Sequence, residues 1–163
     1  RKTTSSFVGA RVLWARVPEH GSLSAVVAVP DFPVSTRAAR NVLPGSVPHS
    51  DAVFNVGRTA LLVASLASGD YANLRYAFDD RLHQPYRSGL VPGMINAMKA
   101  ACDSGAIGSY MSGAGPSIMA LIDRDGLAEP VAFAMREAFA RVRVNALTMD
   151  LPMAESGAAF EVV

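Results

Sequence analysis

Two short apolar runs, Ala106–Met111 and Ile118–Ile122, flank the segment Ser112-Gly113-Ala114-Gly115-Pro116-Ser117. Runs of this length suit strands better than helices, so the chain must reverse between them through residues that carry almost no side-chain bulk. Glycine on both sides of an alanine frees the backbone to take left-handed conformations and to turn its N–H groups toward an approaching anion. A lone Gly-x-Gly is common and by itself marks only a turn. Its surroundings decide whether it marks more.

Downstream, Pro130 opens an amphipathic helix expected to reach about Ala140, and Val142–Met149 and Ala158–Val163 read as strands. Upstream, Pro92 starts a helix to about Asp103, with Gly105 beyond its end, the usual placing of proline and glycine. From Gly105 the order is strand, strand, helix, strand, strand. That order predicts an α+β sandwich with helices on one face of a mainly antiparallel sheet.

The earlier half is consistent with this. Ser24–Pro30 is a continuous run of small and β-branched residues closed by a proline, and reads as a buried strand. Ser35 or Thr36 caps a short helix, which puts Thr36 and Arg40 four apart on one helix face, where a hydroxyl and a guanidinium can point at one object. Leu43–Pro48 is turn material, and Ser50 is expected to cap a helix from Asp51 to Ser68 ending at Gly69. The second half of that helix is apolar around most of its circumference, which predicts a place inside the fold. Asn55 and Arg58 are its polar exceptions, expected to cap neighbours or reach solvent. A helix over Tyr71–Phe78 leads into the polar cluster Asp79–Arg87, ahead of a loop. At the front, Phe7–Val17 reads as one strand and Pro18–Gly21 as a turn.

Composition narrows the function classes. With 163 residues, half of them hydrophobic, and a mean hydropathy of +0.23, the chain can bury a substantial core as one globular domain. A net charge of +1 and the lack of any Lys/Arg block argue against nucleic acid as a partner. The single Cys102 cannot form an intrachain disulfide, which fits a reducing, cytoplasmic setting, and its place on an expected helix predicts a buried, inert thiol. No apolar run approaches the roughly 18 residues of a membrane span, and no signal-peptide core is evident. The sequence opens Arg1-Lys2-Thr3 without methionine, and the expectation is that it is a fragment.

Three groups of residues together resemble one family. Asp79-Asp80-Arg81-Leu82-His83-Gln84-Pro85-Tyr86-Arg87 with Leu90-Val91-Pro92-Gly93-Met94, the Ser112–Ser117 loop, and Val29-Pro30-Asp31-Phe32 with Ser35-Thr36-Arg37-Ala38-Ala39-Arg40 are similar to the C-terminal half of the homoserine kinase family, within the GHMP kinase superfamily. The resemblance covers roughly Leu23–Val163. It implies a ferredoxin-like C-terminal GHMP domain over 23–163, with 1–22 as a possible remnant of the N-terminal domain. It also implies ATP-dependent phosphorylation of the L-homoserine hydroxyl in threonine biosynthesis, by a protein that is often a homodimer.

By the same resemblance, Arg40 and Arg87 face the substrate carboxylate with Thr36 beside it, and Gly113 lies against the substrate. Ser112, Gly113, Ala114 and Gly115 would contact the phosphate-binding loop of the N-terminal domain. The chemistry suits the roles, because a guanidinium presents a planar fork of donors that matches a carboxylate. Neighbouring Asp79 and Asp80 could instead occupy Arg87 or Arg81. His83 and Asp80 are not assigned as bases, since phosphoryl transfer gains chiefly from positioning and charge stabilisation. The Gly-rich phosphate loop that holds ATP and Mg²⁺ in the superfamily has no counterpart in this sequence, so both are expected to bind chiefly to an N-terminal half, and this chain alone is expected to be inactive. Two alternatives stay open: a GHMP kinase for another small hydroxylated metabolite, and a non-catalytic amino-acid-binding or assembly domain.

Overall fold

A computed structural model describes residues 2–8, 11–17, 23–123 and 126–153. Its first element is an antiparallel hairpin of β1 (Lys2–Val8) and β2 (Arg11–Val17), with Val8 opposite Arg11. Where the sequence suggested one strand over Phe7–Val17, the chain has folded back on itself. The turn expected at Pro18–Gly21 lies outside the described residues.

The continuous run Ser24–Pro30 is strand β3, with the bounds its composition predicts. It is flanked by β5 (Ile118–Ile122) and β6 (Ala146–Pro152), and β4 (Gly108–Met111) completes a four-stranded sheet in the order β4-β5-β3-β6. All three pairings are antiparallel, so β3 and β4 run parallel with β5 between them. With α4 (Met94–Asp103) before β4 and α5 (Ala128–Ala140) between β5 and β6, the core reads β-α-β-β-α-β. This is the ferredoxin-like arrangement.

Side-chain alternation sends Val26 and Ala28 of β3, Ile118, Ala120 and Ile122 of β5, and Met111 of β4 toward α4 and α5. There they meet Met94, Ala97, Val131, Met135 and Phe139, all of them essentially inaccessible to solvent. The other face carries Ala25, Leu121, Met119 and Tyr110, which meet Leu74, Ala77 and Phe78 of a 3-10 turn (Leu74–Phe78) and Leu61, Leu62 and Leu66 of α2 (His49–Ser68). Helices α4 and α5 thus form the expected layer, and α2 with the 3-10 turn adds cover on the opposite side. A strand apolar on both faces, as β3 is, requires both.

Several boundaries differ from those the sequence suggested. Helix α2 starts at His49 with Pro48 as its cap, whose carbonyl accepts the Asp51 and Ala52 N–H groups, so Ser50 is not the cap. Its left-handed terminator Gly69 (φ +74°) is as expected. The helix is peripheral, correcting the interior placement: Ser65 is its only fully buried residue, while Val53 and Val56 are 56% and 70% exposed. It rests on the sheet by a stripe through Leu62, Ser65 and Leu66, spaced for one helix face.

The segment Tyr71–Phe78 is helical only as the 3-10 turn at its end. Helix α4 begins after Gly93 (φ +86°), with Pro92 just outside. Cys102 in its last turn is exposed, correcting the expected burial, because the buried stripe of this helix runs through Met94, Ala97 and Ala101. A Cβ at Gly93 would stand 2.8 Å from Val142 Cγ2, so its glycine serves both conformation and space. The strand expected at Val142–Met149 begins at Ala146 instead. Val142–Val144 close the end of α5 through N–H bonds to Phe139 and Ala140, with Arg143 at φ +61°. The strand expected at Ala158–Val163 lies outside the described residues.

Candidate functional site

The site is built from α1 (Thr36–Asn41), α3 (Gln84–Arg87) and the loop between β4 and β5. Ser35 caps α1, its hydroxyl accepting the Ala38 N–H at 3.0 Å, as that segment predicts. Arg40 lies in the last turn of α1 and is exposed, as is Thr36, while Ala39 between them is fully buried.

Helix α3 has no apolar periodicity and owes its form to one carboxylate. Asp80 Oδ1 accepts the Leu82 N–H (2.9 Å) and the Asn55 amide (2.7 Å), and Oδ2 accepts the N–H groups of His83 (2.9 Å) and Gln84 (2.5 Å). Burial pushes the Asp80 carboxyl up, but the bonds from Gln84, Asn55, Leu82 and His83 outweigh it and hold it below the ordinary carboxylate range. Asn55 also accepts the Arg81 N–H through Oδ1 (2.9 Å), so it caps its neighbours as expected. Asp80 is therefore an anchor for backbone. His83 Nδ1 lies 3.5 Å from its Oδ1.

The neighbouring charges find partners among themselves. Arg81 pairs with Asp51 at 3.1 Å and lies over the Phe54 ring at 3.9 Å, while Arg58 approaches Asp79 at 3.7 Å. Arg87 takes neither aspartate. Its Nε donates to the Ala39 carbonyl (3.1 Å) and its Nη1 to the Gly113 carbonyl (2.8 Å). One side chain thus straps the residue beside Arg40 to the glycine loop, across 48 positions of sequence on one side and 26 on the other. Among the described residues its second Nη meets no acceptor.

The loop is closed from within. Ser112 N–H donates to Ser117 O (2.8 Å) and Gly115 N–H to Ser112 O (3.0 Å), and the Gly115–Pro116 bond is cis. Gly113 and Gly115 have φ of +57° and +83°. A Cβ at Gly113 would meet nothing within 4 Å, whereas one at Gly115 would touch Met111 Sδ at 3.2 Å. The loop therefore presents Gly113 to open space, and among the described residues the N–H groups of Gly113 and Ala114 carry no hydrogen bond.

Between α2, α3 and the adjoining sheet face lies a cleft of about 1050 Å³, lined among others by Arg58, Asp80, His83, Gln84, Arg87 and Gly113. The structure thus brings Arg87, Gly113 and the helix bearing Thr36 and Arg40 together. Among the described residues no group of three or more His, Cys, Asp or Glu side chains is placed to hold a metal, and no helix is long and apolar enough to cross a membrane.

Sequence reasoning gave Gln84 no role of its own. Its Nε2 donates to Phe78 O (3.1 Å) and its Oε1 accepts the Met111 N–H (2.8 Å), which ties α3 to the end of β4. The available signal was Pro85, in the first turn of a helix too short to show a period.

A family model described as GHMP kinases C terminal matches residues 62–141. The homoserine kinase of Gloeobacter violaceus is 47% identical over 141 residues, covering 86% of this chain and 46% of that protein. The homoserine kinase of Desulfitobacterium hafniense is 43% identical over 150 residues, covering 92% of this chain and 50% of that protein. Among solved structures, the homoserine kinase from Cytophaga hutchinsonii superposes with a TM-score of 0.82 at 33% identity, over 86% of this chain and 44% of that one. The chain spans about half the length of the curated relatives it matches. Together with the β-α-β-β-α-β core, these matches show that the chain belongs to the GHMP kinase family and carries its C-terminal domain.

Proposed function

We propose that this chain is the substrate-side half of a homoserine kinase, which transfers the γ-phosphoryl group of ATP to the side-chain hydroxyl of L-homoserine. The observation that carries the reading is the Arg87 strap, which sets a guanidinium between α1 and the open face of Gly113. In that frame Arg87 and Arg40 receive the amino-acid carboxylate, with Thr36 beside it, and two cations from separate segments fix its orientation.

The loop at Ser112, Gly113, Ala114 and Gly115 lies against the phosphate-binding loop of an N-terminal half, which holds ATP and Mg²⁺. Its unpaired N–H groups at Gly113 and Ala114 suit an anionic neighbour. ATP supplies the phosphoryl group and Mg²⁺ neutralises its charge, while this chain's residues orient the acceptor. Residues 23–163 are then the C-terminal domain and 1–22 the end of the preceding one, in a cytoplasmic enzyme of threonine biosynthesis.

The test is turnover by the full-length kinase with MgATP. L-Homoserine should give its phosphate ester, and Arg40→Ala should raise the KM for homoserine while leaving that for ATP unchanged. Turnover of another hydroxylated metabolite in preference to homoserine, insensitive to Arg40, would replace homoserine as the substrate.

A further inference from the structure

The Met111 N–H belongs to the last residue of an edge strand, on a residue only 6% exposed, so it needs an acceptor from outside the sheet. Gln84 Oε1 is that acceptor, at 2.8 Å, and the same amide group is held at its other end by Phe78 O at 3.1 Å. Gln84 therefore stands in for a neighbouring strand at the point where β4 passes into the glycine loop. Arg87 follows Gln84 by three residues on α3, which sets the two side chains toward the same side. Arg87 grips Gly113 O, two residues beyond Met111. One helical turn thus holds the loop at its entry and at its tip, and Asp80 fixes the start of that turn.

We propose that Gln84 is a positioning residue for Arg87. Its bond from the Met111 N–H sets the separation of α3 from the loop, and with it the direction in which the remaining N–H groups of Arg87 meet a carboxylate, while the bond to Phe78 O only steadies the amide. The proposal rests on the homoserine kinase reading of the site. Gln84 touches no reacting atom; it acts through Arg87 and the loop backbone. Its two ends are chemically separable. Glu at this position keeps an acceptor for Met111 N–H and loses the donor to Phe78 O, whereas Leu loses both.

The experiment compares Gln84→Leu, Gln84→Glu and Arg87→Ala in the full-length kinase. It measures KM for homoserine and for ATP, kcat, the unfolding midpoint and amide hydrogen exchange at Met111. Gln84→Leu should raise the homoserine KM about tenfold, the equivalent of one typical hydrogen bond, leave the ATP KM within about twofold, and speed exchange at Met111. Gln84→Glu should keep Met111 protected and hold the homoserine KM within about threefold of the parent.

A Gln84→Leu protein with a lower midpoint but the parent homoserine KM would overturn the proposal, as would equal rises in both KM values. If Gln84→Leu does not fold, Gln84→Glu decides: Met111 protected with a near-parent homoserine KM supports the proposal, and Met111 protected with a KM as high as that of Arg87→Ala overturns it. An Arg87→Ala protein with unchanged homoserine KM would remove the reading of the site itself, and the positioning role with it.

Discussion

Asp80→Asn replaces one carboxylate oxygen with an amide nitrogen and changes almost nothing in size, yet it should be among the more damaging single substitutions in this domain. Each oxygen of Asp80 accepts two donors, so whichever way the amide is turned, its NH₂ faces two N–H groups. Two hydrogen bonds to a charged acceptor are lost, each worth about 1.5–3 kcal/mol. The carboxylate is only 12% exposed, so solvent offsets little of that loss. A net cost of about 3 kcal/mol follows, or roughly 6–12 °C in the unfolding midpoint.

The pH dependence has a definite sign. Because the folded carboxyl lies below its ordinary value, its contribution is fully present above the unfolded pKa of about 3.9 and is lost as the pH falls through the lower folded value. The gap between parent and variant, measured by urea unfolding, should be constant from neutrality to about pH 5 and narrow below about pH 4. Equal stability at neutral pH, or a gap that widens in acid, would refute the reasoning.

Further substitutions probe the loop, the cleft wall and the core. Gly113→Val should abolish turnover of the full-length kinase at a stability cost of about 1–2 kcal/mol, because the left-handed backbone is strained by a side chain while the space around it is open. Gly108→Ala should destabilise by about 1–3 kcal/mol, since the added Cβ would fall upon the Phe78 ring, which stacks on Tyr110 with centroids 5.0 Å apart. Unfolding of that variant should be accompanied by altered near-ultraviolet dichroism from the displaced ring pair. Phe139→Ala should cost about 3–5 kcal/mol, because this ring is fully buried between α5 and the sheet.

How legible the fold was depended on how local its causes are. Strand β3 could be read to the residue because its β-branched run and closing proline act within their own segment. The α+β core followed likewise from the order of short strands and capped helices. The place of α2 did not, since apolar periodicity says that a face is to be covered but not by what, and Val53 and Val56 stand exposed here. The start of β6 was hidden by Arg143, a left-handed residue without the glycine that usually announces one. Helix α3 left only Pro85 as a signal, because a single carboxylate makes it.

For the candidate site, the motifs pointed to Arg40, Arg87 and Gly113 as candidates, and the structure brings their segments together through Arg87. The strap itself could not have been read, because both of its acceptors are backbone carbonyls, which a sequence does not distinguish. Gln84 escaped because its partners, the Phe78 carbonyl and the Met111 N–H, are backbone groups as well.

Carboxylate recognition by Arg40 and Arg87 is the central feature of the proposed site. Its sharpest measurement compares kcat/KM for L-homoserine and for 3-aminopropan-1-ol, the same molecule without its carboxylate, in the parent full-length kinase and in Arg40→Ala/Arg87→Ala. The parent should prefer homoserine by about tenfold or more, the equivalent of one hydrogen bond to a charged group, and the double variant should lose most of that preference. A double variant that discriminates as well as the parent would mean that the carboxylate is bound elsewhere.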